Sequence, residues 1–144
     1  MAHRVLLVDD DNEFRSVMAL ALESYGFEVI QTADARSALD LLRWERPDLI
    51  LSDLHMPLMD GGAFCRQVRS EAELAGIPFV ILSAYIESDG SNKLPDAPAD
   101  CSPDCSPDYC FSKQNSVFTL LPQLESLIVA AAVRRMEREV SVRD

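Results

Sequence analysis

Leu49-Ile50-Leu51-Ser52-Asp53-Leu54-His55-Met56-Pro57 opens as an apolar run, delivers a carboxylate at its end and is closed by a proline. A short run of this kind suits a strand buried on both faces, which is the habit of parallel sheets. The same grammar recurs outward in both directions. Val5 to Val8 is apolar and ends in Asp9, Asp10 and Asp11; Phe79 to Leu82 ends at Ser83; Tyr109 to Ser112 runs into Lys113. Phe27 to Gln31 reads as one more strand.

Helical spacing fills the intervals. Phe14, Val17, Met18, Ala21, Leu22 and Tyr25 predict a buried stripe on a helix from about Asn12 to Tyr25, stopped at Gly26. Asp34 is a predicted N-cap for a helix that buries Ala38, Leu39 and Leu42 ahead of Pro47. Phe64, Cys65 and Val68 mark a third helix. Val117, Leu120, Leu121, Leu124, Leu127, Ile128 and Ala131 mark the last, with Pro122 in its first turns. Glu87 to Asp108 departs from the alternation, with Pro95, Pro98, Pro103 and Pro107 set among Asp, Ser and Ala. A reduced fourth helix, or a loop in its place, is expected there. Strand-helix alternation predicts an α/β fold, a three-layer, doubly wound, five-stranded parallel sheet with right-handed crossovers. Residues 1–131 are expected to form this domain and 132–144 a C-terminal helical extension or linker.

Composition narrows the function. At 144 residues and a net charge of −11, the chain is one domain long and repels phosphate backbones, so nucleic acid is not an expected direct partner. No unbroken apolar run of about 18 residues is present, and no membrane span is expected. The start of the chain has no signal-peptide core, so a cytoplasmic place is expected, with Cys65, Cys101, Cys105 and Cys110 as reduced thiols. Cys101, Cys105 and Cys110 have loosely suitable spacing for zinc, but a structural site wants four ligands and a second pair. His55 or Cys65 would have to supply the fourth, so loop thiols plus one strand cysteine are expected.

In a doubly wound sheet, chemistry gathers at the carboxyl ends of the strands. Asp9, Asp10, Asp53, Ser83 and Lys113 all fall there. Converging carboxylates repel one another and call for a hard cation; Mg²⁺ prefers such oxygen ligands. A carboxylate can attack phosphorus, with a metal, an ammonium and a hydroxyl holding the phosphoryl oxygens.

Val8-Asp9-Asp10, Asp53-Leu54-His55-Met56-Pro57-Leu58-Met59-Asp60-Gly61, Ser83-Ala84 and Ser112-Lys113 resemble, in order, the motifs of bacterial two-component response regulator receivers, of which the chemotaxis regulator is the simplest. The resemblance covers Arg4 to about Ala131 and implies a flavodoxin-like strand order of 2-1-3-4-5. It implies Asp53 as phosphoacceptor; Asp9, Asp10, Asp53 and the backbone carbonyl of His55 as Mg²⁺ ligands; and Ser83 and Lys113 as partners of the phosphoryl oxygens. It implies a histidine kinase, a phosphotransfer protein or a small acyl phosphate as donor. A homodimer or an output partner would use the face made by the fourth-helix region, the fifth strand and the last helix. Such a protein catalyses only its own phosphorylation and dephosphorylation.

Two positions depart from the family pattern. Gln114 follows the lysine where proline is usual, so a trans bond is expected there. Cys110 stands where a switching aromatic is common, and Tyr109 should point to the opposite face of the sheet. A haloacid-dehalogenase-like phosphatase is the enzyme alternative on the strength of Asp9-x-Asp11, but Glu13 breaks that motif. A degenerate receiver acting as a phosphorylation-independent interaction module is the other alternative.

Overall fold

The structure is a computed structural model and describes residues 2–83 and 107–142. Its elements, in chain order, are β1 (Arg4–Val8), α1 (Asn12–Tyr25), β2 (Glu28–Thr32), α2 (Ala35–Leu41), β3 (Leu49–Asp53), α3 (Gly61–Ser70), β4 (Phe79–Ser83), β5 (Tyr109–Ser112) and α4 (Val117–Val142). The strands form one parallel sheet in the order β2-β1-β3-β4-β5, as the motifs imply. The expected loop or reduced helix between β4 and β5 falls mostly on residues 84–106, which lie outside the described residues.

Alternation along the strands divides the core in two. Leu6, Val8, Ile50, Phe79, Ile81 and Cys110 face α2 and α3, where Ala38, Leu42, Phe64, Cys65 and Val68 meet them. Val5, Leu7, Leu51, Val80, Leu82 and Phe111 face α1 and α4, which contribute Met18, Leu22, Leu120, Leu124 and Ile128. Tyr109 lies on this second face, opposite Cys110, as the pleat requires. Every residue of β3 and β4 is buried, which accounts for their unbroken apolar runs.

The helix ends follow their side chains. Asp11 caps α1 by accepting from the amides of Glu13 and Phe14, and Gly26 ends it with a left-handed φ of 112°. Asp34 caps α2 by accepting from the Ser37 amide. The buried stripe of α1 differs from the expected one. Val17 and Tyr25 are 64% and 43% exposed, and Ala19 is buried instead. Apolar residues lie on both sides of this helix, so spacing alone does not pick the inner face. Tyr25 stacks on Phe27 and its hydroxyl donates to Glu125 on α4 at 2.8 Å.

Helix α4 contains Pro122 within it and spans about 39 Å. Averaged over a window, Val117–Arg138 has a mean hydropathy of 1.4 and is long and apolar enough to cross a membrane, although Gln123, Glu125 and Ser126 interrupt its apolar run. Its Leu120, Leu124 and Ile128 are instead buried against the sheet.

Candidate phosphoacceptor site

The sheet register brings the polar termini together. Ser52 of β3 pairs with Val8 of β1, and Asp53 with Leu82 of β4, so Asp53 emerges beside Asp9 on one side and Ser83 on the other. Ser83 pairs with Ser112, and the Lys113 amide donates to the Ser83 carbonyl at 2.9 Å, which carries the lysine to the same edge. Asp9, Asp53 and Ser83 are buried, whereas Asp10 and His55 are exposed.

Lys113 is the cation of the cluster. Its Nζ lies 2.8 Å from Asp9 Oδ2 and 3.4 Å from Asp53 Oδ2. Nζ also lies 4.3 Å from the ring centroid of Phe14 on α1, a cation–π contact that holds the ammonium from beneath. Burial works to lower the Lys113 pKa, but bonding to Asp9 and the nearby Asp53 charge outweigh it and leave the ammonium firmly protonated. Asp53 goes the other way. Burial, then the Asp9 charge, push its carboxyl up to about 6, against the opposing pull of Lys113 and of the His55 amide.

Local bonds fix the frame. Asp9 Oδ1 accepts from the Asp11 amide at 2.9 Å, and the Asp9 carbonyl accepts from Arg15 Nη1 at 2.6 Å. The Ser52 hydroxyl donates to the Asp53 carbonyl at 2.9 Å. After β3 the chain doubles back so closely that the Gly61 amide donates to the Leu54 carbonyl at 2.8 Å. A Cβ on Gly61 would collide with the Asp53 carbonyl oxygen, so glycine is required by proximity. Asp60 caps α3 by accepting from the Ala63 amide at 2.8 Å. Leu58, at the tip of this loop, has a φ of 72°. The described residues contain no cis peptide bond, so Lys113–Gln114 is trans as expected.

Oxygen atoms of Asp9, Asp10 and Asp53 lie within 4.8 Å of one another. Three carboxylates against one ammonium form an all-oxygen, electron-rich donor set that fits a hard divalent cation such as Mg²⁺. Sequence reasoning missed Phe14, Arg15 and Gly61 as parts of this site. Phe14 read as core, and nothing in the spacing of Arg15 or Gly61 says what their neighbours are. A hint lay in their closeness to Asp9-Asp10 and Asp53, since the first turn after a strand end borders the site.

The protein-family model described as the response regulator receiver domain matches residues 5–100. The chain belongs to that family. This receiver domain is 40% identical over 84 residues to the transcriptional regulatory protein CseB of Streptomyces coelicolor, covering 58% of the chain and 35% of the relative. The chain thus spans about a third of the length of the curated relatives it matches. Among solved structures, it resembles the receiver domain of a signal transduction histidine kinase from Syntrophus aciditrophicus. That match has 31% identity and a TM-score of 0.75, and covers 90% of this chain and 92% of the other. It also resembles the chemotaxis response regulator CheY4 of Vibrio cholerae, with 26% identity, a TM-score of 0.73, and coverage of 88% and 99%.

Proposed function

We propose that this receiver is a phosphorylation-dependent switch of a two-component system, accepting a phosphoryl group on Asp53 from a histidine kinase or a phosphotransfer protein. The observation that carries the reading is the convergence of Asp53 with Asp9, Asp10 and Lys113 at one sheet edge. An Asp53 oxygen attacks phosphorus; the bond from phosphorus to the donor breaks, and its electron pair leaves with the donor. Lys113 turns from its two carboxylates toward the new phosphoryl oxygens, and Ser83 donates to one of them. Asp9 and Asp10, with Asp53 and the His55 carbonyl, would hold Mg²⁺. The ion, when bound, offsets the charge that builds on the phosphoryl oxygens. The same reading puts the protein in the cytoplasm, gives it no direct nucleic-acid partner through this segment and leaves the fifth-strand face to a second copy or an output partner.

The test is incubation with Mg²⁺ and acetyl phosphate, followed by intact mass. One phosphoryl adduct is expected on the wild type, and none on Asp53→Asn or after chelation of the metal. An equal adduct on Asp53→Asn would displace the nucleophile. No adduct on the wild type, from acetyl phosphate or a phosphorylated phosphotransfer domain, would favour a phosphorylation-independent interaction module.

A further inference from the structure

At the amino ends of β4 and β5, remote from Asp53, the last turns of α4 overhang the sheet. Ala131, Arg134, Arg135 and Arg138 fall at i, i+3, i+4 and i+7, which puts them on one helix face. With Arg69, Gly76 and Asp108 they line a cavity of about 180 Å³.

Arg69 is already engaged. It bridges Asp108 at 2.7 Å and donates to the carbonyls of Ala75 and Ile77 at 2.7 and 3.1 Å. Asp108 Oδ2, which takes that bridge, also accepts from the Phe79 amide at 2.8 Å. Arg134, Arg135 and Arg138 are exposed and have no ion-pair partner among the described residues. Three guanidiniums on one helix face repel one another, in a chain whose net charge is −11. None of the three lies in the last turn of α4, the only part of the helix where the macrodipole favours a cation. The macrodipole does not account for their sharing one face above an open cavity.

Gly76 gives an independent sign. Its φ is not left-handed, and a Cβ added there would meet nothing within 4 Å. Neither backbone nor packing asks for glycine at this position. What its bareness provides is an open stretch of cavity wall where a ligand can approach the main chain.

We propose that this cavity binds a multivalent oxyanion of the phosphate or diphosphate class, held by Arg134, Arg135 and Arg138 against the Arg69–Gly76 wall. Guanidinium forks present paired N–H donors that match phosphoryl oxygens. The volume suits an ion of up to roughly ten heavy atoms. The same chemistry is offered by a free ion or by the phosphoryl end of a small ester.

The test is calorimetric titration of the full chain with phosphate, diphosphate and glycerol phosphate, at constant ionic strength in sodium chloride and with EDTA present. One-to-one binding of at least one of them is expected, and which one binds best separates free ion from ester. The pair Arg134→Gln and Arg138→Gln should weaken it roughly tenfold or more. Gly76→Val, which changes no charge, should weaken it as well. Labelling of Asp53 by acetyl phosphate should be the same in all these variants, so this site and the phosphoacceptor stand or fall separately. No saturable binding above the chloride control would overturn the proposal. So would wild-type affinity in the double arginine variant or in Gly76→Val.

Discussion

Asp53 sits in surroundings that resist its charge. Burial and the neighbouring Asp9 raise its carboxyl to about 6, so the folded chain holds that proton more tightly than the unfolded chain does. The metal-free protein therefore loses stability as pH rises from about 4 to about 6 and carries the whole penalty above that range. Removing the charge should remove the penalty. In EDTA near neutral pH, Asp53→Asn is expected to be more stable than wild type by about 2–3 kcal/mol, with the gap closing as pH falls toward 4. Urea unfolding at both ends of the range checks this, and a gap independent of pH would exonerate the carboxylate. Asp10 differs because water reaches it. Asp10→Asn should weaken Mg²⁺ binding while shifting metal-free stability by no more than about 0.5 kcal/mol, as titration calorimetry and urea unfolding would show. Gly61 illustrates what the letters alone conceal. It closes the motif that begins at Asp53, yet the letters do not say that the Asp53 carbonyl oxygen occupies the space where a Cβ would go. Gly61→Ala should cost roughly 1–3 kcal/mol and slow acetyl phosphate labelling, since relieving the clash displaces the strand end that carries the nucleophile.

Caps and turns decide how well each element presents its residues. Asp11 holds the first turn of α1, and that turn carries Phe14 beneath Lys113 and Arg15 against the Asp9 carbonyl. Asp11→Ala should cost about 1 kcal/mol in urea unfolding. It should also slow labelling, which a purely structural cap would not do. In the β3–α3 loop, Leu58 is 90% exposed and sits at a positive φ, so its side chain gains no burial to offset the strain. Leu58→Gly is expected to raise stability by about 1 kcal/mol, read as a higher melting temperature. Elements of this kind were legible to different degrees. β3, β4 and β5 were readable to the residue because both of their faces are buried and the pattern has sharp ends. β2 lies one residue later than expected, at Glu28–Thr32, because an edge strand with exposed positions has no such ends. The inner face of α1 was misread at Val17 and Tyr25, apolar letters at helical spacing that face water.

Across the whole molecule, acids at strand ends announced both the fold and the site, because a parallel sheet collects all its carboxyl ends at one edge. What the letters did not announce was the apportioning of Lys113, which in this state lies nearer Asp9 than Asp53. That depends on side-chain reach across three strands. Helix α4 continues to Val142, into the stretch expected as a C-terminal helical extension or linker. Among the residues of that helix whose burial is described, Ala131 is the last that is buried, and we propose the boundary there. Truncation after Ala131 should leave acetyl phosphate labelling within about twofold of the full chain; a larger loss would make the overhang part of the domain. The central position of β3 has a consequence for measurement. It is buried along its length and bonded to β1 and β4 on either side, so its amides have no local route to solvent. Their deuterium uptake requires the whole domain to open, and the slowest-exchanging amides near Leu51 and Ser52 report the global unfolding free energy. The strand that bears the nucleophile is thus its own gauge: whatever stability phosphorylation adds can be read there, with no output partner in the tube.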